Sequence, residues 1–325
     1  MKVAHWSLSN RSGMNTVANE CVTQEKKIGI DAVYADFSDT ARFEEYADAD
    51  VHVAHTHFPD AMRKIITKSL KLVWVAHGGI DHVFYESMQG GLTKGYGAGD
   101  GWMLCQYWMQ HSDAIITYWP RQAALWETLC DKNTKVFCVP MGVEKEFWKP
   151  VASRGKYLGN PSLLTAENSH YCKWPYDLFV TWPMVYPDLD TEGFLHSIYL
   201  PNDQHRWFFP LISRNGCYYR TVPSSLILAP EDLRNAFCST DYYIGLVRYG
   251  DFNRVCLEAN ASGSKTISYC GNPYSDYWIH EGDQRVMAKE LIDILKGNTE
   301  PRKKDIVPDA IETSRAMLAV YEGIL

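Results

Sequence analysis

The sequence predicts an α/β protein made of two doubly wound parallel sheets, and two observations carry this. Short apolar runs at Val51–Ala54, Leu72–Ala76, Ala114–Thr117, Phe194–Leu200, Tyr242–Val247 and Lys265–Tyr269 alternate with segments patterned as helices. Such alternation marks β-α-β units, whose helices cover both faces of a parallel sheet. The 325 residues, 46% hydrophobic and 22% charged, suffice for roughly two domains of ~150 residues with substantial cores.

The chain opens with a short strand and a polar loop ending at Gly13, followed by a helix with apolar positions Val17, Cys21, Val22 and Ile28. The helix is expected to stop at Gly29. Gly13 lets backbone come close where a Cβ would obstruct. An ordinary turn there remains equally open. The run LVWVAHGG ends a strand at His77, at the carboxyl edge where open α/β sheets place their ligands. Residues 81–101 carry glycines at 90, 91, 95, 97, 99 and 101, too many for a stable helix or strand. Phe84, Tyr85, Trp102, Tyr107 and Trp108 flank this segment.

Residues 1–150 form the first predicted domain. A linker is expected between Pro150 and Asn160, where proline, glycine and charge replace the apolar rhythm. The second domain spans 151–308. Within it Lys173 immediately precedes a helix that Pro175 would start. The aromatic-rich stretch around Trp207 reads mainly as packing, with a stacking role for Trp207 left open, and His205 and Arg206 read as surface groups. A final helix-like run covers 309–325.

The most informative segment is RYGDFNRVCLEANASG, residues 248–263, followed by a strand and then Gly271-Asn272-Pro273. A helix opening near Arg254 aims its unpaired N–H groups and positive dipole end at the loop 249–253, which makes an anion site. Glu258, one turn in, places a carboxylate among small apolar positions, where it can bind a ribose hydroxyl pair. Phosphate plus ribose means a nucleotide.

This segment resembles the donor signature of family-4-type retaining glycosyltransferases of the GT-B fold, E-x-F-G-x-x-x-x-E-A-x-A-x-G and then G-G-N-P-E. Phe252, Arg254, Val255, Leu257, Glu258, Ala259, Ala261 and Gly263 fall on it, as do Gly271, Asn272 and Pro273. Further matches lie in order along the chain: the Gly13 loop, the His77-Gly78 pair, and Pro140, Gly142, Val143, Phe147 and Pro150 of a P-x-G-V-x-x-x-x-F-x-P run. Two departures stand out. The family's first glutamate falls at Gly250, beside Asp251, and its following glycine is Asn253; the arginine expected after the linker falls near Asn168.

The resemblance implies a GT-B architecture, two Rossmann-like domains facing across a cleft, with the last helix returning to the first domain. It implies transfer of a sugar from a nucleotide diphosphate donor to a hydroxyl acceptor with retention of configuration. Acceptors in question are a glycan, a lipid-linked sugar, a small molecule or a phage-type hydroxymethylated DNA base. The implied catalytic residues are His77, Lys173 and Arg254. The implied donor-binding positions are Gly13, Asn168, Gly250, Asp251, Phe252, Asn253 and Glu258, with Arg248 and Arg11 as further sources of positive charge. No cofactor or essential metal is implied, since lysine, arginine and helix N-termini stabilise the leaving diphosphate. The segment 81–101 reads as an acceptor-side lid or as a surface insertion without substrate contact. Two other classes stay open: a nucleotide-sugar binding protein without turnover, and a non-transferase enzyme on the same fold, such as an epimerase or hydrolase.

Nine cysteines without a C-x-x-C pair read as reduced thiols rather than a disulfide framework or zinc site. No apolar run approaches the ~20 residues of a membrane span. The expectation is a cytoplasmic protein without an anchor. A net charge of −7 argues against general nucleic-acid affinity. Arg63, Lys64, Lys68 and Lys71 nevertheless group on one helix-like segment, either a solvated face or a contact for DNA or an anionic membrane surface.

Overall fold

The structure, a computed structural model, describes residues 1–7, 13–37, 42–55, 70–77, 100–131, 133–152, 160–166, 176–189, 195–197, 229–247 and 254–325. They form two compact units, one of Met1–Glu144 with Pro308–Leu325 and one of Lys145–Val307. The border at Glu144 precedes the 150–160 stretch in which the sequence loses its apolar rhythm.

The first unit contains β1 (Lys2–Ser7), α1 (Gly13–Lys27), β2 (Asp31–Asp36), α2 (Arg42–Glu45), β3 (Val51–Ala54), β4 (Leu72–Val75), α3 (Asp100–His111), β5 (Ala114–Thr117), α4 (Pro120–Leu129) and β6 (Lys135–Cys138). The strands form one parallel sheet in the order β2-β1-β3-β4-β5-β6. β3, β4 and β5 are buried throughout, which explains why they read as unbroken apolar runs rather than alternating ones. Gly29 closes α1 with φ 87°, and Ile30 N–H bonds back to Glu25 C=O at 3.0 Å; glycine adopts this left-handed cap without a Cβ penalty. The segment read as an extended glycine-rich loop, 81–101, ends earlier than expected. Asp100 and Gly101 already belong to α3, whose Trp108 is fully buried and stacks on Trp74.

The second unit contains β7 (Leu163–Thr165), α5 (Tyr176–Val185), β8 (Leu195–Ser197), α6 (Pro230–Cys238), β9 (Tyr242–Gly245), α7 (Arg254–Ala261), β10 (Lys265–Tyr269), β11 (Tyr277–Ile279) and α8 (Gln284–Leu295). Its sheet is also parallel, in the order β11-β10-β9-β7-β8. Leu163, Trp182, Ile244, Ile267, Met287 and Leu291 meet in its core.

The last helix, α9 (Ala310–Glu322), belongs to the first unit and packs on α1. Its entry is fixed by a close approach. Gly142 N–H donates to Thr313 Oγ1 at 2.7 Å, and a Cβ on Gly142 would lie 2.4 Å from the Asp309 carbonyl oxygen. Only glycine fits there. Asp309 then caps α9 in a reciprocal capping box with Glu312.

Candidate functional site

In each sheet the strand order reverses once, and the carboxyl edges flanking that reversal form the crevice where doubly wound folds bind ligands. In the second unit the reversal lies between β7 and β9. The loops leaving these two strands begin at Ala166 and Leu246, and α7 opens at Arg254. Topology therefore sets Ala166, Leu246 and the start of α7 along the carboxyl edge at this reversal. Lys173, Asn168, Gly250, Asp251, Phe252 and Asn253, with Arg248 and Arg11, lie outside the described residues.

Arg254 and Glu258 meet directly. The Arg254 Nε donates to Glu258 Oε1 at 2.8 Å, with side chains 13% and 8% exposed. Such a pair at i and i+4 holds the carboxylate in one orientation on the helix. Arginine carries five N–H donors, so this pairing and a phosphate contact are compatible.

The Gly271-Asn272-Pro273 loop is braced on the same helix. Asn272 Nδ2 donates to Cys256 Sγ at 3.4 Å, Cys256 Sγ and Ser275 Oγ lie 3.3 Å apart, and Asn260 Nδ2 donates to Tyr274 O at 3.2 Å. Gly271 has φ 111°, a conformation that favours glycine. On the loop's outer side Arg302 Nη1 donates to Pro273 O at 3.0 Å and Ser275 O at 3.1 Å. Its guanidinium also lies 3.8 Å from the Trp278 ring centroid, and Trp278 Nε1 donates to Asn272 O at 2.7 Å. Fully buried Asp177, in the first turn of α5, accepts from Tyr269 OH at 2.5 Å. Sequence reading missed Arg302, Trp278, Asp177 and Tyr269 because their partners are remote in the chain.

In the first unit the reversal lies between β1 and β3. Gly13 heads α1 after β1, with no described atom within 4 Å of the position a Cβ would take. His77 follows β4 and is half-buried. Its Nε2 lies 2.9 Å from His55 Nδ1, His55 Nε2 lies 2.9 Å from His5 Nδ1, and His5 Nε2 lies 2.8 Å from Glu25 Oε2. Tyr321 of α9 donates to Glu25 Oε1 at 3.0 Å. His5, Glu25 and Tyr321 are wholly buried, and His55 is 1% exposed. Burial pushes the His55 imidazolium well below the usual histidine range, with His77 and His5 adding to the effect. Burial, reinforced by Glu25, pushes the Tyr321 phenol well above 10, so it stays a donor.

Register explains the row. His5 pairs with Val53 and Val53 with Val73, so His55 stands two residues beyond His5's level and His77 four. Steps of two keep side chains on one face of a sheet, each rising about 6.6 Å. The signal in the sequence is the tripeptide Val-Ala-His, present at Val3-Ala4-His5, Val53-Ala54-His55 and Val75-Ala76-His77. His52, aligned with Ala4, belongs to the opposite face and accepts from Trp6 Nε1 at 3.1 Å.

Ligand atoms of His5, Cys21 and His55 lie within 4.8 Å of one another, the spacing of a metal site. All four ring nitrogens of His5 and His55 are already engaged in the row, and a metal needs a lone pair from each imidazole. Hydrogen bonding, not ligation, is what this cluster is arranged for.

Lys71, one of four residues of the anticipated basic patch, is committed elsewhere. Its Nζ pairs with Asp113 Oδ1 at 2.9 Å, while Asp113 Oδ2 accepts from Leu72 N–H, at the edge of β4 opposite His77. Arg63, Lys64 and Lys68, like Trp207, His205 and Arg206, lie outside the described residues. Among the described residues Cys21, Cys105, Cys130, Cys138, Cys238, Cys256 and Cys270 are free thiols, and no helix is long and apolar enough to cross a membrane.

No protein-family model matches the sequence, and no curated protein matches it. Solved structures do match. Sucrose-phosphate synthase from Thermosynechococcus elongatus is similar at TM-score 0.72 and 12% identity, over 100% of this chain and 96% of that one. HepE from Anabaena, solved with UDP-glucose, is similar at TM-score 0.65 and 14% identity, over 99% and 95%. A glycosyltransferase from Rickettsia africae is similar at TM-score 0.65 and 13% identity, over 99% and 98%. The likeness runs the length of the chain and is one of architecture: the protein has the GT-B fold.

Proposed function

We propose that the protein is a retaining glycosyltransferase that moves a sugar from a nucleoside diphosphate sugar to a hydroxyl acceptor. The observation that carries this reading is α7, which opens at the carboxyl-edge reversal of its sheet with Glu258 held in place by Arg254. A helix N-terminus there suits a diphosphate, and an oriented carboxylate one turn in suits a ribose. Uridine nucleotides are the first donors to try, because solved proteins of this fold include HepE with UDP-glucose.

In this reading Lys173, Arg254 and the α7 N-terminus stabilise the charge that builds on the leaving diphosphate, without an essential metal. His77 orients the donor sugar or the acceptor hydroxyl. Attack comes from the face the diphosphate leaves, and that phosphate takes the acceptor proton. Retention, the acceptor classes named above, the 81–101 lid and a cytoplasmic location belong to this same proposal.

The test is a thermal-shift screen of nucleoside diphosphates and their sugars, followed by a transfer assay. A ligand at 100 times its Kd is expected to add about 2.7 kcal/mol of stability. Absence of any stabilising nucleotide would overturn the reading. Binding without transfer or donor hydrolysis would favour a nucleotide-sugar binding protein, which Gly250 and Asn168 already suggest as the second reading.

A further inference from the structure

We propose that the second unit carries a further binding site, for a phosphorylated polyol such as a sugar phosphate, in a pocket of about 390 Å³ at the end of α7 away from Arg254. Small-molecule sites commonly measure about 300 to 1,000 Å³. The helix rise sets Asn260 and Ala261, which line the pocket, roughly 10 Å from the start of α7. The pocket is therefore distinct from the diphosphate site proposed at that start, and the inference does not depend on the transferase reading.

The polar wall is cationic. Lys145 and Lys149 belong to the segment that leaves the first unit, and Lys304 to the segment that returns to it. Against these three ammonium groups the lining holds one acid, Asp305. Lys149 pairs with Glu146 at 3.1 Å, but both side chains are largely exposed, and such a pair is weak enough to yield to a ligand. Lys304 pairs with Asp276 Oδ1 at 2.6 Å, which uses one of its three N–H donors. Half-buried Lys145 has neither an ion pair nor a hydrogen bond among the described residues. Nor are these lysines spent on capping α7, because the carbonyls of Glu258, Ala259 and Asn260 accept from the N–H groups of Ser262, Ser264 and Gly263.

The rest of the wall suits the body of the ligand. Asn260 Nδ2 donates to Tyr274 O and Asp276 Oδ2, each at 3.2 Å. A carbonyl and a carboxylate oxygen only accept, so the amide nitrogen is fixed on the protein and its carbonyl Oδ1 is left to accept from a hydroxyl. Ala261, Val307 and Ile306 supply apolar surface. Ile306 is 85% exposed, and a carbon skeleton seated in the pocket removes part of that surface from water. Ammonium groups for a phosphate, an amide oxygen for hydroxyls and an apolar side for carbon together describe a phosphorylated polyol. Inorganic phosphate meets only the first of these, and an unphosphorylated sugar only the other two.

Calorimetry on the full chain tests this with glucose 6-phosphate, ribose 5-phosphate, glycerol 1-phosphate, glucose and inorganic phosphate. At least one of the three phosphorylated polyols is expected to bind roughly tenfold or more tightly than both glucose and inorganic phosphate. Binding by none of the three overturns the proposal, and inorganic phosphate binding as tightly as all of them overturns it by reducing the pocket to a plain anion site. Lys145→Gln, which removes no contact among the described residues, is expected to weaken the polyol roughly tenfold. Adding Lys149→Gln is expected to weaken it further, with uridine diphosphate affinity unchanged in both variants. Parent affinity for the polyol in the folded double variant overturns the site, as does displacement of the polyol by saturating uridine diphosphate. A chain that binds no uridine diphosphate fails the transferase reading alone, since the lysine variants still decide this one.

Discussion

At its β1/β3 edge the first unit hides its polar groups, whereas at its β7/β9 edge the second unit sets an ion pair at the start of a helix. Glu25 has no exposed surface and reaches the sheet edge only through three imidazoles; the Arg254–Glu258 pair keeps some exposure at the edge itself. The difference teaches what each carboxylate is for. A buried carboxylate whose two oxygens are held by a histidine and a tyrosine has no access to a ligand and acts only through those neighbours. A carboxylate paired with arginine near a helix N-terminus acts on whatever arrives.

The sharpest way to break this contrast is to truncate both carboxylates. Glu25→Ala is expected to cost about 3 to 5 kcal/mol, because it strands a buried histidine and tyrosine. The loss should show as lower hydrogen-exchange protection of β1 and β3 with β9 and β10 unchanged. Uniform loss over both sheets would refute the separation of the units.

Acid sharpens it further. Burial lowers the His52 pKa from 6.5 to about 4, a shift the Asp48 charge partly opposes. Because the unfolded chain binds this proton first, the stability it supports is present above pH 6.5 and lost as pH falls towards 4. The slope is up to about 1.4 kcal/mol per pH unit, and His55 acts in the same direction. Exchange measured across this window should weaken β3 before β10, and His52→Gln should flatten the dependence. Equal acid sensitivity of the two sheets would contradict it.

Glu258→Ala is expected to behave oppositely to Glu25→Ala, leaving the fold largely intact while weakening uridine diphosphate binding roughly tenfold or more. Calorimetry that finds the parent affinity in a folded variant would remove Glu258 from the site. The smallest effect belongs to the border of the first unit. Asp309→Ala removes the α9 cap and should cost about 1 kcal/mol, read as local fraying of α9 without change in ligand affinity.

Much of the fold was legible because buried parallel strands leave plain marks: LVWV, AIIT and YYIG each became a strand. The start of α7 at Arg254 and the turn at Gly29 were legible from local chemistry. The histidine row was not. Val-Ala-His occurs three times, but its meaning depends on β1, β3 and β4 being neighbours with a stagger of two, which no local pattern encodes. Arg254 read as a phosphate ligand from its position, yet its first partner is Glu258, one turn along the same helix. Lys71 likewise read as part of a basic face until Asp113, remote in sequence, claimed it.

The return of α9 to the first unit has a consequence during synthesis. Residues 145–307 are continuous and can close on themselves as they emerge, as domains generally do. The first unit has no such independence, because Tyr321 and Met317, which meet Glu25 and Cys21 of α1, follow the whole of the second unit out of the ribosome. Until then α1 carries an uncovered face and a buried carboxylate lacking its tyrosine. The amino-terminal half, although made first, is the half that finishes folding last.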